Sequence, residues 1–261
     1  MDYKSLIYNV EDKICKITLN IPERMNAMST DMLNEIPEAV NTASQDENVN
    51  VIVITGNGKG FCVGADLNGP IFDETSTHKL RDIIWQAAEI ALVIHESPKP
   101  VIASVNGVAA GGGCNLALCC DMIVASEEAR FVEGYPNIGM HCDAGGSYFV
   151  PRLIGYAKAC EFLMTRQFIS AREAERIGLI NHAVPHDQLE SETNKLARAI
   201  ADGPPMAIRM LKSSINRQLN MTAYDALVNE ADMHTFTIIS EDAEEGMNAF
   251  LEKRKPVFKG K

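Results

Sequence analysis

Two short β-branched runs, each delivered into a cluster of glycines, constrain this chain more than any other feature. Val51 to Thr55 (VIVIT) ends in Gly56, Gly58 and Gly60, and Val101 to Val105 leads within a few residues to Gly111-Gly112-Gly113. Short, unbroken apolar runs of this kind read as strands buried on both faces, as in a parallel sheet, and the glycines mark backbone leaving the sheet through tight turns. After the second run, Cys114 to Cys120 has helix-compatible composition and Met122 to Ala125 resumes strand character. Strand, glycine turn, short helix and strand in succession define an α/β body.

The flanking segments fit that body. Residues 5 to 19 alternate apolar and polar around Asp12-Lys13, as expected of a strand pair, and Asn20 to Asn26 makes a polar, Pro-interrupted connection. A helix is expected from Ser29, with Pro37 kinking or dividing it. Ser170 and Glu173 have capping-box spacing at the start of a helix that stops near Gly178, and from about Leu189 nearly everything is helical in pattern. No long linker, low-complexity tract or clear internal repeat interrupts the chain.

Composition narrows the function. The 261 residues are 46% hydrophobic, ample for a packed core. No window approaches the roughly 18 apolar residues of a membrane span, and the start MDYKSLIYNVED lacks the basic and apolar regions of a signal peptide, so a cytoplasmic protein with no membrane partner is expected. Cys15, Cys62, Cys114, Cys119, Cys120, Cys142 and Cys160 form no C-x-x-C pair and no zinc spacing, and read as buried reduced thiols with no metal site. A net charge of -11 repels polyphosphate, which argues against nucleic acid. An anionic ligand then needs a few cations concentrated locally.

The glycine segments Gly60 to Leu67 (GFCVGADL) and Asn106 to Leu116 (NGVAAGGGCNL) let backbone approach a ligand closely. The N–H groups of the second segment would open a helix, where unpaired donors and the helix dipole favour a developing negative oxygen. Tight turns use glycine too, and neither segment fits a nucleotide-binding fingerprint.

The order GFCVGADL, SPKPVIASVNGVAAGGGCNLALCCDMIVA, ARF, DAGGSYFVPRLIG and EEGMNAFLEKRKPVFKGK resembles the enoyl-CoA hydratase/isomerase, or crotonase, family over nearly the whole chain. The resemblance implies an α/β fold made of a spiral of β-β-α units: a catalytic, CoA-binding core over 1–190 and a helical trimerisation region over 191–261, assembled as a homotrimer or homohexamer. It implies no permanently bound cofactor, coenzyme A entering as part of an acyl-CoA thioester substrate. It places oxyanion-holding backbone N–H groups on Ala65 and Gly112. Arg24, Gly64, Ala65, Asp66, Leu67, Gly111 and Gly112 fall at positions that meet the CoA, while Phe250 and Lys253 correspond to a pair that reaches the CoA of a neighbouring subunit. Three residues apart, Phe250 and Lys253 are expected on one helix face; a solvated terminal charge cluster is the alternative for Lys253.

Hydratases of this family carry two glutamates, at positions that are Asn115 and Tyr135 here. A positioned acid or base contributes about 10²- to 10⁴-fold, so losing both predicts a poor hydratase. A carboxylate instead stands at Asp143, where isomerase branches carry an acid, and the Asp-x-Gly-Gly-hydroxyl pattern is most similar to the ring-epoxide isomerases of phenylacetate catabolism. An isomerase is therefore expected, moving a double bond from the 3 to the 2 position or rearranging an aryl epoxide, with Asp143 as the single base and an apolar pocket raising its pKa. An enoyl-CoA hydratase and a non-catalytic CoA-binding subunit are the alternatives. Asp143 as a helix N-cap is the competing structural role. Asn115 either packs the helix opening or steadies substrate, His141 is a candidate second titrating group, and Glu133 is expected in a solvent-facing loop. Ile83, Ile84 and Trp85, within the 69–88 stretch, are candidates for lining an acyl pocket or for ordinary helix packing.

Overall fold

The computed structural model describes residues 2–67 and 74–261. Residues 69–73 of the acyl-pocket stretch lie outside that set. Strands β1 (Leu6–Glu11) and β2 (Ile14–Leu19) form the antiparallel pair around Asp12-Lys13, and β2 then pairs in parallel with β3 (Val51–Gly56). Parallel pairing continues through β5 (Val101–Val105) and β7 (Met122–Ser126) to β10 (His182–Val184), giving a six-stranded sheet of order β1-β2-β3-β5-β7-β10. A second sheet collects the strands in between: β4 (Gly60–Cys62), β6 (Val108–Ala110), β8 (Arg130–Val132) and β9 (Ile169–Ser170).

The β-β-α repeat is visible in this partition. Each central strand of the first sheet is followed by a strand of the second and then a helix: β3, β4 and α2 (Thr77–Glu96); β5, β6 and α3 (Gly112–Leu118); β7, β8 and α4 (Gly146–Thr165). The apolar runs are buried on both faces with period two. Ile52, Ile54, Ala103, Val105, Ile123 and Ala125 face the main core, shared with Met32, Ile36 and Val40 of α1 (Thr30–Gln45). Val51, Val53, Ile102 and Val124 face the other way, against Leu189, Ala197 and Ala201 of α6 (Leu189–Ala201). That two-sided burial is why these strands lack polar alternation.

Helix boundaries follow local chemistry. The Ser29 side chain accepts from Met32 N at the start of α1, and Ser170 accepts from Glu173 N at the start of α5 (Ala171–Arg176), as the spacing predicted. Pro37 neither divides nor ends α1, which runs unbroken to Gln45. Proline removes one N–H from the ladder, and five buried residues, Met32, Ile36, Ala39, Val40 and Ala43, hold the helix on the core across that gap.

The C-terminal helices α7 (Pro205–Gln218), α8 (Ala223–Ile238) and α9 (Glu241–Glu252) complete the chain. Buried Asp242 accepts from Lys259 N at 2.6 Å and Gly260 N at 2.8 Å, tying the tail back onto α9. α8 has no buried residue within this chain and leaves Tyr224, Leu227, Phe236 and Ile238 exposed. α9 ends at Glu252, and Lys253 is its left-handed C-cap at φ 57°. Phe250 and Lys253 therefore do not share a helix face: the spacing argument needs helical φ/ψ at both residues, and the cap turns the second away.

Gly113 shows how tightly the layers meet, because a Cβ there would lie 2.1 Å from the Cys62 carbonyl oxygen of β4. Gly113→Ala must push α3 away from the second sheet. Such overpacking should cost about 1–3 kcal/mol, read as a lowered urea midpoint with an unchanged slope.

Candidate active site

The two glycine segments converge on one cavity of about 350 Å³, lined by Met28, Leu33, Ala65, Asp66, Ile83, Ile84, Ala87, Gly112, Tyr135 and Asp143 among others. The Ala65 and Gly112 N–H groups come together for separate reasons. Met28 and Ala65 form a parallel bridge in which Met28 N donates to the Gly64 carbonyl at 2.8 Å and Asp66 N donates to the Met28 carbonyl at 3.3 Å. The intervening residue must then direct its own N–H to the opposite side, away from Met28. Gly112 is the first residue of α3, so its N–H has no partner inside the helix. Gly64 joins the two: at φ +84° it has no Cβ, and one placed there would sit 2.8 Å from the Ala110 carbonyl oxygen and 3.2 Å from Gly112 N. Gly111 N donates to the Val132 carbonyl at 2.9 Å, anchoring the turn to the second sheet.

Asp143 approaches from the segment before α4. It does not cap that helix. Gly145 is the N-cap, at φ 88° with no side-chain hydrogen bond. The Asp143 carboxyl instead accepts a short hydrogen bond from the Tyr135 hydroxyl. Burial pushes the Asp143 carboxyl above the usual range, while the Tyr135 hydrogen bond pulls in the opposite direction. Burial and the neighbouring Asp143 charge push the Tyr135 phenol upward, so it remains a donor. Asp31 and Asp66 also line the cavity, but each has a cation: Lys4 lies 3.3 Å from Asp31, and Arg24 pairs with Asp66. Among the described residues Asp143 has no Lys or Arg ion pair.

Asn115 is wholly buried. Its Nδ2 donates to the Asp143 main-chain carbonyl at 2.9 Å and lies 3.5 Å from the Tyr135 hydroxyl. It braces the acid from behind and does not line the cavity. His141 is exposed and outside the cavity, its Nδ1 2.5 Å from the Cys142 carbonyl oxygen. Ile83 and Ile84 line the cavity, whereas Trp85 is half exposed beneath the Arg81 guanidinium. Leu67, Phe250 and Lys253 are exposed and lie away from the lining of this cavity within one chain.

Glu133 corrects the sequence expectation most sharply. It is 0% exposed, and neither carboxyl oxygen has a hydrogen-bond partner within ordinary geometry among the described residues. The segment packs inward because Phe131 and Val132 of β8 immediately precede it in the core. Those two apolar neighbours were the only signal available in the sequence.

The comparisons agree with this architecture. A profile of the enoyl-CoA hydratase/isomerase family matches residues 9–261. The crotonyl-CoA hydratase of Syntrophomonas wolfei is 37% identical over 259 residues, covering 99% of each chain. Among solved structures, an enoyl-CoA hydratase from Bacillus anthracis superposes with a TM-score of 0.95 at 32% identity, covering 99% of this chain and 100% of its own. One from Geobacillus kaustophilus does so with a TM-score of 0.93 at 38% identity over 100% of both chains. The chain belongs to the enoyl-CoA hydratase/isomerase family, with its crotonase-type α/β fold. Members act on coenzyme A thioesters without a permanent cofactor.

Removing the Tyr135 hydroxyl takes away a hydrogen bond that favours the charged form of Asp143. In Tyr135→Phe the Asp143 carboxyl should therefore titrate at a higher pH than in the unaltered protein, followed by carboxyl ¹³C NMR; an unchanged or lower midpoint would contradict the geometry.

Proposed function

We propose that this protein is an acyl-CoA isomerase that moves a double bond from the 3 to the 2 position, with Asp143 as its single proton carrier. The observation that carries this reading is that Asp143, alone among the three aspartates lining the cavity, has no Lys or Arg ion pair among the described residues, while sharing that cavity with Ala65 and Gly112. The thioester oxygen accepts from those two N–H groups. The Asp143 carboxylate takes a proton from C2, and the electron pair moves into the thioester to give a dienolate. The two donors stabilise charge that appears only at this stage, and each contributes about 10²- to 10³-fold. Asp143 then returns the same proton to C4, the carbonyl re-forms, and the double bond lies between C2 and C3. Tyr135 holds Oδ1 and leaves Oδ2 to carry the proton. Ile83, Ile84 and Ala87 supply an apolar wall for the acyl chain.

The printed names of the relatives favour a second reading, enoyl-CoA hydration. Water addition needs a group to activate water as well as one to manage the α-proton. Asn115 has no ionisable group, and the upward-shifted phenol of Tyr135 is a proton donor. These substitutions are why isomerisation is preferred. Under the same reading, residues 191–261 assemble the trimer through the uncovered face of α8.

Asp143→Asn keeps the shape of the side chain and removes its base. Turnover of a 3-enoyl-CoA should fall by about 10²- to 10⁴-fold while acyl-CoA affinity, measured by calorimetry, stays close to that of the unaltered enzyme. Retained isomerisation would remove Asp143 from the mechanism. Rapid hydration of crotonyl-CoA, followed by loss of its conjugation absorbance, without isomerisation of a 3-enoyl-CoA would select the hydratase reading.

A further inference from the structure

Glu133 is the ionisable group beside this cluster that the proton transfer leaves unused. It follows β8 directly, is fully buried, and neither carboxyl oxygen has a hydrogen-bond partner. A charged carboxylate with no donor and no cation is among the costliest things a protein can bury, whereas its neutral form is far cheaper and carries an O–H to give. Asn115 has the complementary lack. Its Nδ2 is engaged with the Asp143 carbonyl and the Tyr135 hydroxyl, while its Oδ1 is buried with no donor. The Glu133 carboxyl lies within interaction reach of the Asn115 amide, and among the described residues both Glu133 oxygens and Asn115 Oδ1 are buried without a donor.

We propose that Glu133 is a positioning residue: as a neutral acid it donates its O–H to Asn115 Oδ1, locking the amide whose Nδ2 holds the Asp143 backbone and the Tyr135 hydroxyl, and so aims the Asp143 carboxylate into the cavity. The inference rests on the reading of Asp143 as the base and extends it by one layer. An amide free to rotate would exchange its donor and acceptor ends, and a carbonyl oxygen facing the Asp143 carbonyl would be repelled.

Burial is the main reason Glu133 stays neutral, pushing its carboxyl up to about 8. The Cys114 thiol beside it pulls the other way, the Asp143 charge pushes in the same direction as burial, and the N–H end of the Asn115 amide again opposes, whereas donation from the acid to Oδ1 favours its neutral form. The groups facing it come from every neighbouring element: Cys114 and Asn115 on α3, Tyr135 in the 3-10 turn Tyr135–Ile138, and Cys142 and Asp143 before α4. Burial pushes both thiols and the phenol upward, so Glu133 ionises before they do. The sign follows directly. Below about 8 the O–H is present and the base is held in place; above it the proton is lost, Asn115 loses its donor and a second negative charge faces Asp143.

The test compares full-length Glu133→Gln, which keeps a donor but cannot titrate, with Glu133→Leu, which keeps the bulk but has no donor. Values of kcat and KM are measured across roughly pH 6 to 10 on 3-enoyl-CoA, or on crotonyl-CoA if hydration is the only reaction found. Infrared spectra of the unliganded proteins follow the C=O band of a protonated carboxyl. The unaltered enzyme should lose turnover on a basic limb near pH 8, with the band disappearing over the same range. Glu133→Gln should lack both the band and the limb and keep kcat within about twofold. Glu133→Leu should lose about 10- to 100-fold in kcat with little change in KM, the signature of a misaimed base. A basic limb that persists in Glu133→Gln, full activity in Glu133→Leu, or no protonated band at neutral pH would each overturn the proposal. If Glu133→Leu does not fold, the Gln variant and the band decide. Failure of the isomerase reading is seen separately, as continued turnover by Asp143→Asn or as hydration alone, and leaves the infrared arm still able to decide the state of Glu133.

Discussion

The contact between two stretches of glycine backbone is the constraint on which the rest of this structure depends. Gly113 lies against the Cys62 carbonyl and Gly64 lies against Gly112 N, so β4 and the opening of α3 approach more closely than any side chain allows. That approach brings Ala65 and Gly112 to the lining of one cavity, between strands that alternate between the first and second sheets. A donor pair made of main-chain atoms cannot relax like a side chain. In the proposed reaction its geometry is set before the thioester arrives, which is what electrostatic preorganisation requires.

On the Asp143 side of the cavity polar groups stand in layers. Asp143 lines the cavity, Tyr135 holds its carboxyl, and Asn115 holds both its main chain and the phenol. Glu133 lies behind Asn115, the most deeply buried acid of the group. Each layer has a reason for its protonation state. The phenol is pushed up and stays a donor, the aspartate is raised yet tempered by that donor, and the glutamate is desolvated until the neutral form prevails near neutrality. Two carboxyls with environments this different are how a protein separates proton-accepting and proton-holding roles within a few residues.

Much of this was legible in the sequence. The strand runs, the Ser29 and Ser170 caps and the glycine turns follow from local rules, because propensity, capping and close backbone approach are written in adjacent residues; Asp143 stood out only through the family resemblance. The errors have one common cause. Pro37 was expected to kink or divide α1 and does not divide it, Lys253 was expected to continue α9, and Glu133 was expected to face water. In each case neighbours distant in sequence took part: the core beneath α1, the tail folding back against Asp242, and the pairing of β8, which leads into Glu133, between β6 and β9.

The sequence by itself determined the family, through the order of its motifs, and the alternating strands and helices, since these depend on residue type and spacing; the candidate backbone donors and base came with the family resemblance. Only the tertiary structure decided which acids are neutralised by a cation and which are not, and that Glu133 is sealed from solvent. Desolvation and ion pairing act over a few ångströms of space, and chain positions as far apart as Arg24 and Asp66, or Asn115 and Asp143, become neighbours only once the sheets have closed on one another.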